Sequence, residues 1–309
     1  MTDVNTLILG GFGMIGSACV RHCEANGYIF KAPSRKECDV SDPVAVRQYL
    51  NLQQPQIVIL AVGAVGGIAQ NLKTPADFLF ENTNFLMNVL PACIDCGVSK
   101  FVFFGSSCMY PVEGRQPYEE NILLEGKPEK TSMAYAMSKL WGVEACLAVN
   151  RQYDHIQCIP VIPNSVYGPN DDFDDASSHV LSALLARFHH AKEHDLAEVE
   201  IWGSGSPLRE FVFADDVASA VFRLLETEVP RDRCFNIGTD SEISILDLAQ
   251  LIGSIVGYKG SIVTASHKPD GAPRKLLNCS FLNGIGWAPK TRLDEGLLKT
   301  YDWYKSNRS

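Results

Sequence analysis

Short runs of consecutive apolar residues alternate with longer mixed segments through the first half of the chain. TLILG over residues 6–10, QIVILAV over 56–62 and KFVFF over 100–104 are rich in β-branched and aromatic residues, and predict strands covered on both faces. Phe30 marks a second short strand, and residues 156–161 another. The segments 14–25, 44–50, 76–96 and 132–151 are predicted as helices. This alternation predicts a Rossmann-type, doubly wound, mostly parallel sheet with helices on both faces.

The second half is less regular. Residues 162–176 (IPNSVYGPNDDFDDA) combine prolines, a glycine and an acidic cluster, and read as one long loop. Helices are predicted over 178–190 and 216–225, with strands over 199–202 and 211–213. Ser244-x-x-Asp247 has the form of a capping box opening a helix to about residue 256. Thr291-x-x-Asp294 repeats it for a last helix ending near 303. The expected organisation is an α/β fold with a nucleotide-binding domain over 1–165, which takes additional elements from the second half. A smaller C-terminal α/β region over 166–309 is expected to be mainly substrate-binding.

Composition narrows the function classes. Of 309 residues, 46% are apolar and 20% charged, which excludes a disordered chain. The 27 Lys and Arg against 36 Asp and Glu give a net charge of −9 with no basic tail. No nucleic-acid or membrane partner is expected, while a local basic pocket for a phosphorylated small molecule stays open. No apolar run approaches 18 residues, and the opening MTDVNTLILGGFG lacks an export segment. Ten cysteines without a dense framework then point to a reducing cytoplasm. Cys93-x-x-Cys96 falls late in a predicted helix and reads as packing. His189, His190 and His194 read as surface residues, so no metal site is expected.

GGFGMIG places Gly10, Gly13 and Gly16 directly after the first strand and before a helix. That spacing suits a tight turn, backbone approach to a pyrophosphate and close helix–strand packing. Met14 and Ile15 in the same turn, and Ala61 and Val62 at the end of the 56–62 run, complete the expected cofactor contacts. The segment after the second strand, FKAPSRKECD, brings Arg35 and Lys36 before any acid. A guanidinium can fork onto a 2′-phosphate, so NADP(H) is favoured over NAD. The alternative is that Arg35 and Lys36 are ordinary solvated charges. Asp39 is assigned to the adenine edge.

Tyr135 and Lys139 form YxxxK and share one helix face. A phenol is a poor acid or base at neutral pH, and a nearby ammonium favours its ionised form. Ser106, just past the 100–104 strand, can hydrogen-bond a substrate carbonyl or alcohol.

GGFGMIG, Arg35, GSSCMYP (105–111) and YAMSK (135–139) resemble the extended short-chain dehydrogenase/reductases. NRQY (150–153), SSHVLSALLARFHHA (177–191), WGSGSPLREF (202–211) and KPDGAPRK (268–275) narrow the resemblance. They are similar to the branch of bifunctional 3,5-epimerase/4-reductases acting on GDP-4-keto-6-deoxy-D-mannose. The resemblance implies a reductase triad of Ser106, Tyr135 and Lys139, with Cys108 and His179 as the epimerisation acid/base pair. It also implies His179 beside the cofactor, and Ser107, Ser165, Val180, Arg187, Trp202, Arg209 and Lys268 around a GDP-sugar. A homodimer through the helices at 76–96 and 132–151 is the family's expectation. Pro-Asn-Ser at 163–165 and Asn-Asp-Asp-Phe at 170–173 depart from the family pattern. A related GDP-4-keto-6-deoxy-hexose or heptose, or reduction without epimerisation, therefore stays open. An NAD-dependent nucleotide-sugar 4-epimerase is disfavoured by Arg35. A non-catalytic nucleotide-binding regulator is disfavoured by the retained triad.

Overall fold

The computed structural model describes residues 5–174, 178–265 and 270–308. In chain order the first half comprises β1 (Thr6–Leu9), α1 (Met14–Asn26), β2 (Phe30–Lys31), α2 (Pro43–Gln53), β3 (Ile57–Leu60), α3 (Ile68–Lys73), α4 (Pro75–Asp95), β4 (Lys100–Phe104), α5 (Met133–Gln152) and β5 (Gln157–Pro163). The second half comprises β6 (Ser165–Tyr167), α6 (Val180–Glu193), β7 (Glu198–Trp202), β8 (Leu208–Arg209), β9 (Phe211–Phe213), α7 (Ala214–Glu226), β10 (Phe235–Ile237), β11 (Ile243–Ser244), α8 (Ile245–Val256), β12 (Ser261–Ala265), β13 (Arg274–Lys275), α9 (Ser280–Gly284) and α10 (Leu293–Asn307).

Six parallel strands in the order β10-β5-β4-β3-β1-β2 form the main sheet, as the apolar runs predict. Alternate residues feed its two faces. Leu7, Leu9, Val58, Leu60, Phe101 and Phe103 pack with residues of α2, α4 and α5. Ile8, Ile57, Ile59, Val102 and Phe104 pack with α1 and α7. The order reverses between β1 and β3, and in such sheets a crevice opens beyond the carboxyl ends at that point. A third core joins α6, α8 and α10 to Tyr167, Phe211 and Phe213. No helix among the described residues is long and apolar enough to cross a membrane.

Three local expectations are corrected. The 162–176 loop is partly strand: β5 runs on to Pro163, and β6 pairs in parallel with β9. The Thr291 capping box does not form, because Asp216 of α7 takes the amides of Lys290 and Thr291. Helix α10 therefore starts at Leu293, capped by Arg292 without a side-chain bond. His189 is buried, not a surface residue: its Nδ1 lies 2.9 Å from the Tyr301 hydroxyl and its Nε2 3.2 Å from Glu193. The Ser244 capping box does form, with its hydroxyl oxygen accepting from the Asp247 amide at 3.0 Å.

Candidate active site

The crevice is built first by glycine. Gly10 turns the chain out of β1 with φ +89°, and a Cβ there would lie 2.6 Å from the Ala61 carbonyl oxygen. At Gly16 a Cβ would meet the Gly10 carbonyl oxygen at 2.0 Å, so α1 can pass this close to the turn only without a side chain. Gly13 caps α1 with no side-chain bond, leaving the helix's first amides for an anion. Met14 and Ile15 follow in the first helical turn and pack on the sheet face shared with α7. A cavity of about 510 Å³ is lined by Gly10, Gly13, Arg35, Asp39, Ser41 and Val62 among others. It lies beside the glycine turn, where the adenosine half of a dinucleotide would sit. Arg35 is 82% exposed and spends its Nε on Asp39 at 3.1 Å. Asp39 also accepts from the Ser41 amide and hydroxyl, and these bonds, with Arg35, hold its carboxyl down to about 2.

The second half of the crevice comes from β3, β4 and α5. Beyond β3, the buried Asn82 of α4 clamps Ala64, accepting from its amide at 3.1 Å and donating to its carbonyl at 3.0 Å. Beyond β4, Ser106 opens a short 3-10 turn over Ser107–Met109, its hydroxyl accepting from the Cys108 amide at 3.2 Å. Ser107 is buried in that turn. Tyr135 lies close enough to Ser106 and Cys108 for both to act on its phenol. Its phenol is pushed up, first by burial and then by Cys108, with Ser106 pulling the other way. This corrects the expectation of a phenol lowered by Lys139. The Lys139 ammonium sits 5.8 Å from the Tyr135 ring centroid, and burial outweighs it. Lys139 is itself 5% exposed, over the Phe103 ring, and burial pulls its ammonium down to about 8.

His179 stands at the N-cap of α6, exposed, with no side-chain cap bond. Asp171 hydrogen-bonds Ser182 of the same helix; burial pushes its carboxyl up, with Ser182 and then His179 acting against burial. Val180 begins α6, and Arg187 further along donates to the Glu200 carbonyl at 2.7 Å. Trp202 ends β7 and is 57% exposed. Ser165 opens β6. Lys268 lies outside the described residues. Arg209 is partly buried in β8; burial lowers its guanidinium, opposed by Glu129, Cys108, Tyr118 and Asp270.

The structure thus joins Ser106, Cys108, Tyr135 and Arg209 in one neighbourhood, with Lys139 one helical turn from Tyr135. Two further residues of this site, Glu210 and Lys275, lie in the segments WGSGSPLREF and KPDGAPRK but are not singled out there. Glu210 pairs not with its neighbour Arg209 but with Asn164 and the amides of Thr239, Asp240 and Leu277. Lys275 donates to the Cys108 sulfur from 167 positions away. Of the ten cysteines, only Cys96 and Cys108 are partly exposed, while the other eight are buried.

Comparisons with known proteins agree with this geometry. Residues 6–238 match the NAD dependent epimerase/dehydratase family. GDP-L-fucose synthase 1 of Arabidopsis thaliana is 40% identical over 301 residues, covering 97% of this chain and 93% of that protein. The structure of a GDP-mannoheptose C4 reductase from Campylobacter jejuni with NADP bound is 30% identical, with a TM-score of 0.87 over 99% of each chain. That of a GDP-L-fucose synthetase from Naegleria fowleri bound to NADP is 25% identical, with a TM-score of 0.91 over 99% of this chain and 95% of that one.

Proposed function

The chain belongs to the NAD dependent epimerase/dehydratase family, and we propose that it is an NADP(H)-dependent epimerase/reductase of GDP-4-keto-6-deoxy-hexoses. The substrate that fits best is GDP-4-keto-6-deoxy-D-mannose, with GDP-L-fucose as product. The observation that carries this reading is the grouping of Ser106, Cys108 and Tyr135 in one neighbourhood, with Lys139 buried beside Tyr135. It supplies a hydroxyl, a cysteine sulfur and a protonated phenol at one point of the crevice.

NADPH supplies the hydride for C4 when bound. The glycine turn and the uncapped start of α1 hold its pyrophosphate, Arg35 its 2′-phosphate, and Lys139 its ribose. Cys108 and His179 act from opposite faces of the sugar. One removes the proton from the carbon beside the ketone, the C–H electron pair becomes the enolate, and the other returns a proton. Ser106 donates to the C4 oxygen throughout, and Tyr135 gives its proton as that oxygen becomes an alkoxide. The raised phenol suits this, since it stays protonated at neutral pH. Arg187 and Arg209 bind the pyrophosphate of GDP. Two copies of the chain associate through α4 and α5, where Phe80, Met87, Met137 and Trp141 are exposed.

A second reading, reduction of a GDP-heptose at C4, is supported by the 30% identity to a GDP-mannoheptose C4 reductase, and the departures beside the pocket leave the sugar open. Asn170 takes a left-handed φ of +66° and accepts from the Ser17 hydroxyl, while Asn164 is bound to Glu210. Stoichiometric NADPH oxidation by each purified GDP-4-keto sugar separates the readings. No oxidation with any of them would overturn both.

A further inference from the structure

Cys108 meets charge that its own segment does not carry. The Lys275 Nζ lies 3.6 Å from the Cys108 sulfur and 3.6 Å from Glu129 Oε2. The Lys275 and Glu129 side chains are 15% and 21% exposed, so the contacts are shielded from bulk water. The backbone that carries Lys275 is fixed from several sides. Lys275 pairs with Arg209 across β13 and β8, and its carbonyl accepts from Asn164 at 3.3 Å. The Leu276 amide donates to Gln116 at 2.9 Å, and the Leu277 amide to Glu210 at 3.2 Å. Glu129 is steadied by the Thr131 hydroxyl at 2.8 Å.

Among the described residues, charged and titratable groups from four segments surround the sulfur. Lys275 comes from β13, Arg209 from β8 and Tyr135 from α5, while Glu129 reaches Lys275 from the segment before α5. The Lys275 ammonium contacts the Cys108 sulfur directly, Arg209 and Tyr135 lie within electrostatic range of it, and the Glu129 carboxylate stands behind Lys275. An ammonium that donates to sulfur favours thiolate over thiol.

We propose that Lys275, steadied by Glu129, is a positioning residue that keeps the Cys108 sulfur anionic and ready to take a proton. The assignment rests on the epimerase reading above. In the step it serves, the sulfur lone pair takes the proton beside the ketone and the C–H pair becomes the enolate. The negative charge moves from sulfur to the enolate oxygen, and Lys275 keeps its own protons.

The test is alkylation of Cys108 by iodoacetamide in the full chain between pH 6 and 9, followed by mass spectrometry of the Cys108 peptide. Parent, K275M and K275R are compared, with circular dichroism as the check on folding. The parent is expected to react with little pH dependence above pH 7. K275M should react about tenfold more slowly at pH 7 and gain about tenfold per pH unit, as an ordinary thiol does below its titration point near 8.5. K275R, which keeps the charge, should stay within about threefold of the parent. K275M reacting as fast as the parent at pH 7, or K275R as slowly as K275M, would overturn the proposal. Exchange of substrate C3 and C5 protons with heavy water, measured on the same parent, reads the epimerase assignment separately. A reactive thiolate without exchange sinks that assignment and leaves the Lys275 contact standing. Exchange with K275M alkylated like the parent sinks the Lys275 role alone.

Discussion

The carboxylate of Glu210 accepts a hydrogen bond from the side chain of Asn164, tying the segment between β8 and β9 to the break between β5 and β6. Glu210 is fully buried, and also accepts from the amides of Thr239, Asp240 and Leu277. Its neighbour Arg209 and the strand bearing Lys275 are therefore set by one buried acid. Replacing it by Gln puts an amide donor against these N–H donors. E210Q should lose about 2 kcal/mol of stability, the cost of one donor left unpaired. Urea unfolding should show a lower midpoint at unchanged slope. Among folded molecules, KM for the GDP-sugar should rise more than KM for NADPH.

Arg35 is the one guanidinium lining the 510 Å³ cavity, and its terminal nitrogens make no hydrogen bond among the described residues. R35A should raise KM for NADPH about 10- to 100-fold, the value of a lost charge-assisted bond, and leave KM for NADH nearly unchanged. Equal losses for both cofactors would place Arg35 among the solvated surface charges.

Burial lowers Lys139 from 10.5 to about 8, so its charge is lost within an accessible pH range. The rate of C4 reduction should fall as pH rises through about 8. In K139R, whose guanidinium stays protonated, the residual activity should lack this limb. Stability moves the other way. Between about 8 and 10.5 the unfolded chain binds the extra proton, so the Lys139 contribution to stability increases with pH across that window.

Tyr135 Oη is assigned to protonate the alkoxide and takes no part in carbon deprotonation. Y135F should lower the rate of NADPH oxidation by about 10²–10⁴, the range for loss of a general acid. Solvent exchange at C3 and C5 should persist, which NMR of the recovered substrate will show. Loss of both activities together would give Tyr135 a role in epimerisation.

The parallel sheet was legible because β1, β3 and β4 are apolar on both faces, and their runs are unbroken. The site was legible where a motif ties chemistry to a turn or a helix face, as at Gly10, Gly16, Tyr135 and Lys139. β5 reads as ending at Val161 because Pro163 opens a segment with a second proline, a glycine and an acidic cluster, and proline argues against an interior strand. β6, β8, β11 and β13 have two or three residues each, too few to show a period. Glu129, Glu210 and Lys275 reach the site only through long-range contacts; Glu210 and Lys275 fall in segments that carry the resemblance, but no chemical pattern there assigns their roles. The failed Thr291 capping box has the same cause: Asp216, 75 residues earlier, takes the amide that a cap would need to leave in place.

The most direct test of the central claim is one incubation of the enzyme with GDP-4-keto-6-deoxy-D-mannose and NADPH in heavy water, with the product read by NMR. The account predicts NADPH oxidised in step with product, GDP-L-fucose as that product, and deuterium at both C3 and C5. A reduced sugar with its C3 and C5 hydrogens retained would remove Cys108 and His179 from the chemistry. Turnover without net NADPH oxidation would contradict the reductase assignment itself.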